Sequence, residues 1–183
     1  RAALQPGETC LVTGVGGGLG THTLQIAKAM GARTLAVTSS PEKVERLEEL
    51  DADELLIAGE LDFGELALAL TEDKGVDVVV NTVGSEMFDS CLRALAPYGR
   101  MLILGEISGG TITLNPAELV FKEARLIGSA GTNKQNLNGA IAMVAQGLIR
   151  PIVSEIYRFE DIQIAYQSMV QRESFGRIAL RPD

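Results

Sequence analysis

Glycine crowds one short stretch of this chain, Thr13-Gly14-Val15-Gly16-Gly17-Gly18-Leu19-Gly20, between an apolar run (Thr9 to Thr13) and a helical pattern that reaches Met30. Where β-carbons are missing, a phosphate can approach the backbone closely, and the N–H groups at a helix start are unpaired and carry the positive end of its dipole. A strand, a glycine turn and a helix in that order are where an open parallel sheet holds a nucleotide. The strict G-x-G-x-x-G spacing is not met. Gly14 and Gly16 are followed by Leu19, and Val15 stands where Gly17 and Gly20 would need their first glycine. The plainer reading is a tight turn that packs a helix on a strand.

The end of the next strand bears on which nucleotide would bind. Sites for NAD or S-adenosylmethionine usually place Asp or Glu there, to accept from the ribose hydroxyls. This chain has Thr38-Ser39-Ser40 instead, followed by Lys43 and Arg46. Hydroxyl donors and a cation suit a 2′-phosphate, and no carboxylate stands at the strand tip to repel it. The expectation is therefore NADP over NAD, against the alternative that Ser39 and Ser40 only cap a helix and Lys43 faces solvent.

Other catalytic patterns are scarce. A Tyr-x-x-x-Lys proton-transfer pair is missing, because the residues four after Tyr98, Tyr157 and Tyr166 are Leu102, Asp161 and Val170. Cys10, His22 and Cys91 have the composition of a catalytic zinc site. Cys10 falls in a strand and Cys91 on a distant helix, so the expectation is two core cysteines and no metal bound by this chain. No glycine loop ends in Gly-Lys-Ser/Thr, which excludes ordinary kinase or ATPase chemistry.

These residues need a scaffold, and the pattern supplies one. Short apolar runs at Thr9–Thr13, Thr34–Thr38, Glu54–Ala58, Val76–Asn81, Met101–Leu104 and Arg125–Ser129 read as strands. Helical patterns separate them: one up to Met30, one behind Ser40-Pro41, and others at Asp62–Thr71 and Glu86–Leu95. A short helix opened by Asn115-Pro116 follows, and a last one runs from Lys134 to Gly147. Alternation at this pitch implies an α/β fold, a Rossmann-type doubly wound parallel sheet of about six strands. After Pro151 the pattern changes to strand, helix, strand, at Val153–Phe159, Glu160–Gln171 and Gly176–Arg181. Residues 1–150 are thus expected to form the dinucleotide-binding domain, and 151–183 a C-terminal appendage.

The whole chain has 183 residues, of which 46% are hydrophobic and 22% charged, with a formal charge of −8. That size holds one compact domain with a short appendage. The acidic balance argues against non-specific nucleic-acid or membrane-surface binding, so any phosphate must be held by local geometry. Thr9 to Ala27 carries no charged side chain but is too rich in glycine and threonine for a membrane span. Two widely spaced cysteines give no disulfide framework, and a cytoplasmic setting is expected. The start at Arg1, in a polar turn-like phrase, reads as a piece of something longer.

Many ordered segments resemble the medium-chain dehydrogenase/reductases, the group of zinc alcohol dehydrogenases, quinone oxidoreductases and enoyl or acryloyl-CoA reductases. They include Gln5-Pro6-Gly7-Glu8, Leu11-Val12-Thr13-Gly14, Gly17-Gly18-Leu19-Gly20 with Gln25-Ile26-Ala27-Lys28, Ser39-Ser40-Pro41-Glu42-Lys43, Gly75-Val76-Asp77-Val78-Val79, Thr82-Val83-Gly84 and Phe175-Gly176-Arg177-Ile178. The resemblance covers nearly the whole chain. It implies that Gly17, Gly18, Leu19 and Gly20 lie at the pyrophosphate, and that Thr38, Ser39, Ser40 and Lys43 lie at the adenosine ribose and its 2′-phosphate. By the same resemblance Thr82, Val83 and Gly84 line the cofactor, with Leu104, Gly105, Gly128 and Ser129 nearer the nicotinamide. Two departures stand out: Val15 replaces a small residue and is expected to crowd the turn, and Asn81 replaces a common Asp, removing a charge.

The resemblance implies the NADP(H)-binding half of an oxidoreductase. The intact enzyme would move a hydride between the nicotinamide and a small carbonyl, alcohol or conjugated alkene, as a quinone or enoyl reductase does. The alternatives are the coenzyme domain of a zinc-dependent alcohol dehydrogenase, or a dinucleotide-binding module without catalysis. Catalytic and metal-ligating residues would lie in a preceding domain, leaving this chain alone inactive, and residues 151–183 would pack on that domain. A homodimer is expected through the edge strand near Arg125 to Ser129, since an unpaired edge is a template for another strand.

Overall fold

The computed structural model of the chain describes residues 1–59 and 61–182. Six strands, β1 (Thr9–Thr13), β2 (Arg33–Thr38), β3 (Glu54–Ile57), β4 (Val76–Asn81), β5 (Leu95–Ile103) and β6 (Arg125–Gly128), form one parallel sheet in the order β3-β2-β1-β4-β5-β6. This is the doubly wound sheet that the alternation of short apolar runs and helices leads one to expect. Period-two alternation sorts the strand side chains between its faces. Cys10, Val12, Val78 and Val80 pack on one face with Leu24 and Ala27 of helix α1 (Gly18–Ala29) and Leu47 of α2 (Val44–Glu48). Leu11, Val79 and Met101 pack on the other with Phe63 and Ala67 of α3 (Phe63–Leu70) and Phe88 and Leu92 of α4 (Phe88–Ala94). Because the helices change faces between β1 and β4, a crevice opens where these two strands end.

Local chemistry sets most boundaries. Pro41 opens a 3-10 turn (Pro41–Lys43) ahead of α2, which makes that helix shorter than the sequence suggests. Asp62 caps α3 by accepting from the Gly64 N–H at 2.7 Å. A further 3-10 turn, Ser85–Met87, precedes α4. Strand β5 begins at Leu95, earlier than expected: Leu95 pairs with Val76, then the register shifts and Arg100 pairs with Val78. Pro97-Tyr98-Gly99 thus sits in an irregular strand, with Tyr98 at φ 63°, where a turn outside the sheet was expected. Two more helices complete the first 150 residues, α5 (Pro116–Lys122) and α6 (Lys134–Ala145). The remainder forms β7 (Val153–Arg158), α7 (Ile162–Val170) and β8 (Arg177–Arg181), in which β7 and β8 make a separate parallel pair.

Both crossings between the sheet and this last unit are fastened to the region around the glycine turn. At the first, Gln25 of α1 donates to Arg150 O (3.1 Å) and accepts from Arg150 N–H (2.8 Å). His22 Nε2 lies 3.3 Å from the Ile152 N–H, and Nδ1 lies 2.5 Å from Gly18 O. A ring nitrogen accepting from Ile152 leaves Nδ1 to carry the proton that goes to Gly18 O. At the second crossing Gly176 N–H donates to Gly16 O (3.0 Å) and Arg177 N–H to Ile152 O (2.9 Å).

Candidate dinucleotide site

Four of the five glycines of the turn answer separate steric demands. Gly14 adopts φ 64°, and a β-carbon there would meet Thr82 Oγ1 at 2.6 Å. At Gly20 it would meet Gly14 O at 2.2 Å, so helix α1 can start this close to β1 only without a side chain. At Gly16 it would meet Lys43 Cδ at 2.8 Å, and at Gly18 the Arg177 Nε at 2.1 Å. The tight-turn reading therefore holds for Gly14 and Gly20, whereas Gly16 and Gly18 make room for cationic side chains. Helix α1 opens at Gly17 with no side-chain cap and no acid in its first turn, leaving its first N–H groups to be met from outside the helix. Val15 does not crowd the turn. It is fully buried with Val12 and Leu24, and its N–H donates to Val37 O at 3.2 Å.

Hydroxyl and amide side chains staple the ends of β1 and β4 together. Thr82 Oγ1 donates to Thr13 O (2.8 Å), while Thr13 Oγ1 accepts from the Thr82 N–H (3.0 Å). Buried Asn81 closes the loop behind them. Its Oδ1 accepts from the N–H groups of Val83 (3.0 Å) and Gly84 (2.9 Å), and its Nδ2 donates to Gly84 O (2.9 Å). A carboxylate at this position could not make that last bond. The substitution of Asn for Asp thus gives Asn81 a structural task. In the loop after β5, Glu106 accepts from Ser85 N–H (2.7 Å), the Ser85 and Ser108 hydroxyls (3.0 and 2.9 Å) and the Gly109 N–H (3.0 Å). These donors, the Ser85 N–H foremost, hold its pKa down at about 2.

A cleft of about 440 Å³ lies at the mouth of the sheet. Gly17, Gly18, Leu19, Gly20, Thr38, Ser39, Ser40, Lys43, Thr82 and Val83 all line it. The five other residues singled out from the sequence lie outside its lining. Gly84 sits behind Val83 at φ 108°, against Glu106, and Leu104 packs on the core with its N–H on Asn81 O. Gly105 lies against Thr82 O, and Gly128 and Ser129 stand at the end of edge strand β6, one strand beyond β5. Thr38 is nearly buried, its hydroxyl accepting from the Ser40 N–H at 3.1 Å. Ser40 makes no side-chain cap bond to the following turn, which leaves its hydroxyl available.

Lys43 lines the cleft, but its ammonium does not face solvent. It donates to Arg172 O at 2.5 Å and Ser174 O at 2.8 Å, and the residue is 7% exposed. Burial lowers its pKa. Two cations from the C-terminal segment reach the cleft instead: Arg172, which lines it together with Ser39 and Ser40, and Arg177, lying across Gly18. The sequence reading assigned neither a role. For Arg177 the signal was an arginine directly after the glycine of Phe175-Gly176-Arg177, ahead of the apolar Ile178-Ala179-Leu180; Arg172 carried none.

Cys10 and Cys91 lie in the cores on opposite faces of the sheet, and His22 is engaged by Gly18 O and Ile152. Burial pushes the Cys10 thiol up to about 12. The composition Cys, Cys, His is therefore never assembled, and among the described residues no three His, Cys, Asp or Glu side chains gather to hold a metal. No helix among those residues is long and apolar enough to cross a membrane.

Residues 18–146 match the family model described as zinc-binding dehydrogenase. The chain belongs to that family. It is 35% identical to the acryloyl-coenzyme A reductase of Metallosphaera sedula over 98% of this chain and 52% of the relative. It is 31% identical to the NAD-dependent alcohol dehydrogenase of Saccharolobus solfataricus, covering all of this chain and 53% of that one. The crystal structure of AibC superposes with a TM-score of 0.91 at 37% identity, over 98% of this chain and 50% of the other. The chain thus spans about half the length of the curated relatives it matches, and within the medium-chain dehydrogenase/reductases it corresponds to the dinucleotide-binding half.

Proposed function

We propose that the cleft binds a nicotinamide dinucleotide, with NADP preferred, as the coenzyme-holding part of an oxidoreductase. The observation that carries this reading is Arg177 lying across the missing β-carbon of Gly18, in front of an uncapped helix start. A pyrophosphate there would meet unpaired N–H groups and a guanidinium together. Gly17, Leu19 and Gly20 complete that cradle, while Thr82 and Val83 form the wall toward the nicotinamide. Ser39, Ser40 and Arg172 supply the donors for a 2′-phosphate, in place of the carboxylate expected of an NAD site. When bound, the nicotinamide would give or take the hydride. This chain's own part is to orient the dinucleotide.

For the intact protein, hydride transfer to an activated double bond, as in an enoyl or quinone reductase, is the reading favoured by the similarity to the M. sedula acryloyl-coenzyme A reductase. The alcohol dehydrogenase name of the S. solfataricus relative supports a second reading, oxidation of an alcohol with NAD. Turnover of the full-length protein with NADPH and an α,β-unsaturated thioester, set against NAD and a primary alcohol, separates the two. Arg172→Ala should weaken NADP by roughly 1 to 3 kcal/mol, the range for a hydrogen bond to a charged group, and leave NAD nearly unchanged. Equal losses for both dinucleotides would remove Arg172 from the phosphate.

A further inference from the structure

The loop from Arg172 to Gly176 brings both cleft arginines into place, yet it is a short connection between α7 and β8 with Arg172 itself at φ 60°. Something must hold it against the sheet domain. Three contacts do so: the Lys43 ammonium on the carbonyls of Arg172 and Ser174, the Arg46 guanidinium 4.4 Å above the ring of buried Phe175, and the Gly176 N–H on Gly16 O. Gly16 has no β-carbon where the Lys43 stem passes. The clasp thus grows from the turn after β2 and closes over the glycine turn from the side.

We infer that Lys43 is a positioning residue: its ammonium grips two carbonyls of the C-terminal loop and thereby sets Arg177 on the glycine turn, whichever dinucleotide is bound. This inference rests on the proposed dinucleotide site and changes what Lys43 is expected to do there. A lysine touching the 2′-phosphate would matter to NADP alone, whereas a clasp that orders Arg177 over the pyrophosphate matters to NADP and NAD alike. Removing the ammonium takes away the partner of two part-buried carbonyls, so the loop would loosen.

The test is calorimetric titration of the chain with NADP and with NAD, for wild type, Lys43→Met, Arg177→Ala and the double variant. Lys43→Met should weaken both dinucleotides by one common factor of about tenfold, the order of the cost of ordering an arginine at a site. In the Arg177→Ala background the same change should have little further effect. Hydrogen exchange without any ligand should show the Gly176 and Arg177 amides exchanging faster in Lys43→Met. Arg46→Ala, a surface change that leaves the core intact, should move both readouts the same way if Lys43→Met folds poorly. Loss of NADP binding with NAD retained would overturn the inference, as would unchanged affinities and unchanged exchange. If wild type binds neither dinucleotide the site reading itself fails, and the exchange measurement alone still decides whether the clasp exists.

Discussion

At the scale of single residues, the glycine turn separates two kinds of necessity that look alike in a sequence. Gly20 faces backbone and Gly18 faces the movable end of an arginine. Gly20→Ala should therefore cost stability, about 1 to 3 kcal/mol or more for overpacking against a carbonyl that cannot yield, read as a lower thermal midpoint. Gly18→Ala should leave the midpoint nearly unchanged, because Arg177 can swing away, but should weaken dinucleotide binding. Equal midpoints for the two variants would contradict this division. The residues nearest the turn were legible because glycine density and a strand-to-helix position leave few readings. Lys43 was legible as a cleft residue but not as a clasp, since its partners are main-chain carbonyls of residues 172 and 174. Main-chain acceptors carry no sequence signature at that separation. Asn81 was legible only as a departure, and its three hydrogen bonds to the Thr82–Gly84 loop became visible once the backbone was placed.

At the scale of elements, Glu106 ties the loop after β5 to the turn after β4, and its charge is what the hydroxyls and N–H groups bind. With the folded pKa lowered to about 2 from an ordinary 4.5, the group stabilises the folded state fully above the unfolded value. That contribution fades as pH falls from about 4.5 toward 2. Thermal midpoints of wild type and Glu106→Gln should differ most above pH 5 and converge near pH 2. A difference that grew on acidification would refute the assignment. The six strands followed from alternation of apolar runs with helical patterns, but β5 did not reveal its early start. A Pro-Tyr-Gly phrase reads as a turn, and here tertiary pairing of Leu95 with Val76 draws it into the sheet with a register shift. Helix α2 came out shorter than expected behind Ser40-Pro41, because a 3-10 turn over Pro41–Lys43 comes first.

At the scale of the whole molecule, the apolar surface left open is concentrated beyond residue 115. Phe121 is 86% exposed, and Leu137, Ile141 and Val144 form a stripe along α6, which buries no residue. A dimer through edge strand β6 remains our proposal, and the ladder says how to test it. Ser129 N–H donates to Ile103 O, so by alternation Ile127 also faces β5, and the N–H groups of Leu126 and Gly128 point to the open edge. Gly128→Pro removes one outward donor at a position with free space for a side chain. It should turn a dimer into a monomer by light scattering, and a wild-type chain that is monomeric at high micromolar concentration would dispose of the proposal. Ile127→Pro, the more obvious edge substitution from sequence, would break the β5–β6 pair instead. The central claim concerns the cleft, and its most direct test is calorimetric titration of this chain with NADP and then NAD. The account predicts that both bind, with NADP the tighter of the two and with both weakened by Arg177→Ala. Absence of binding by either dinucleotide, or tighter binding of NAD, would contradict it.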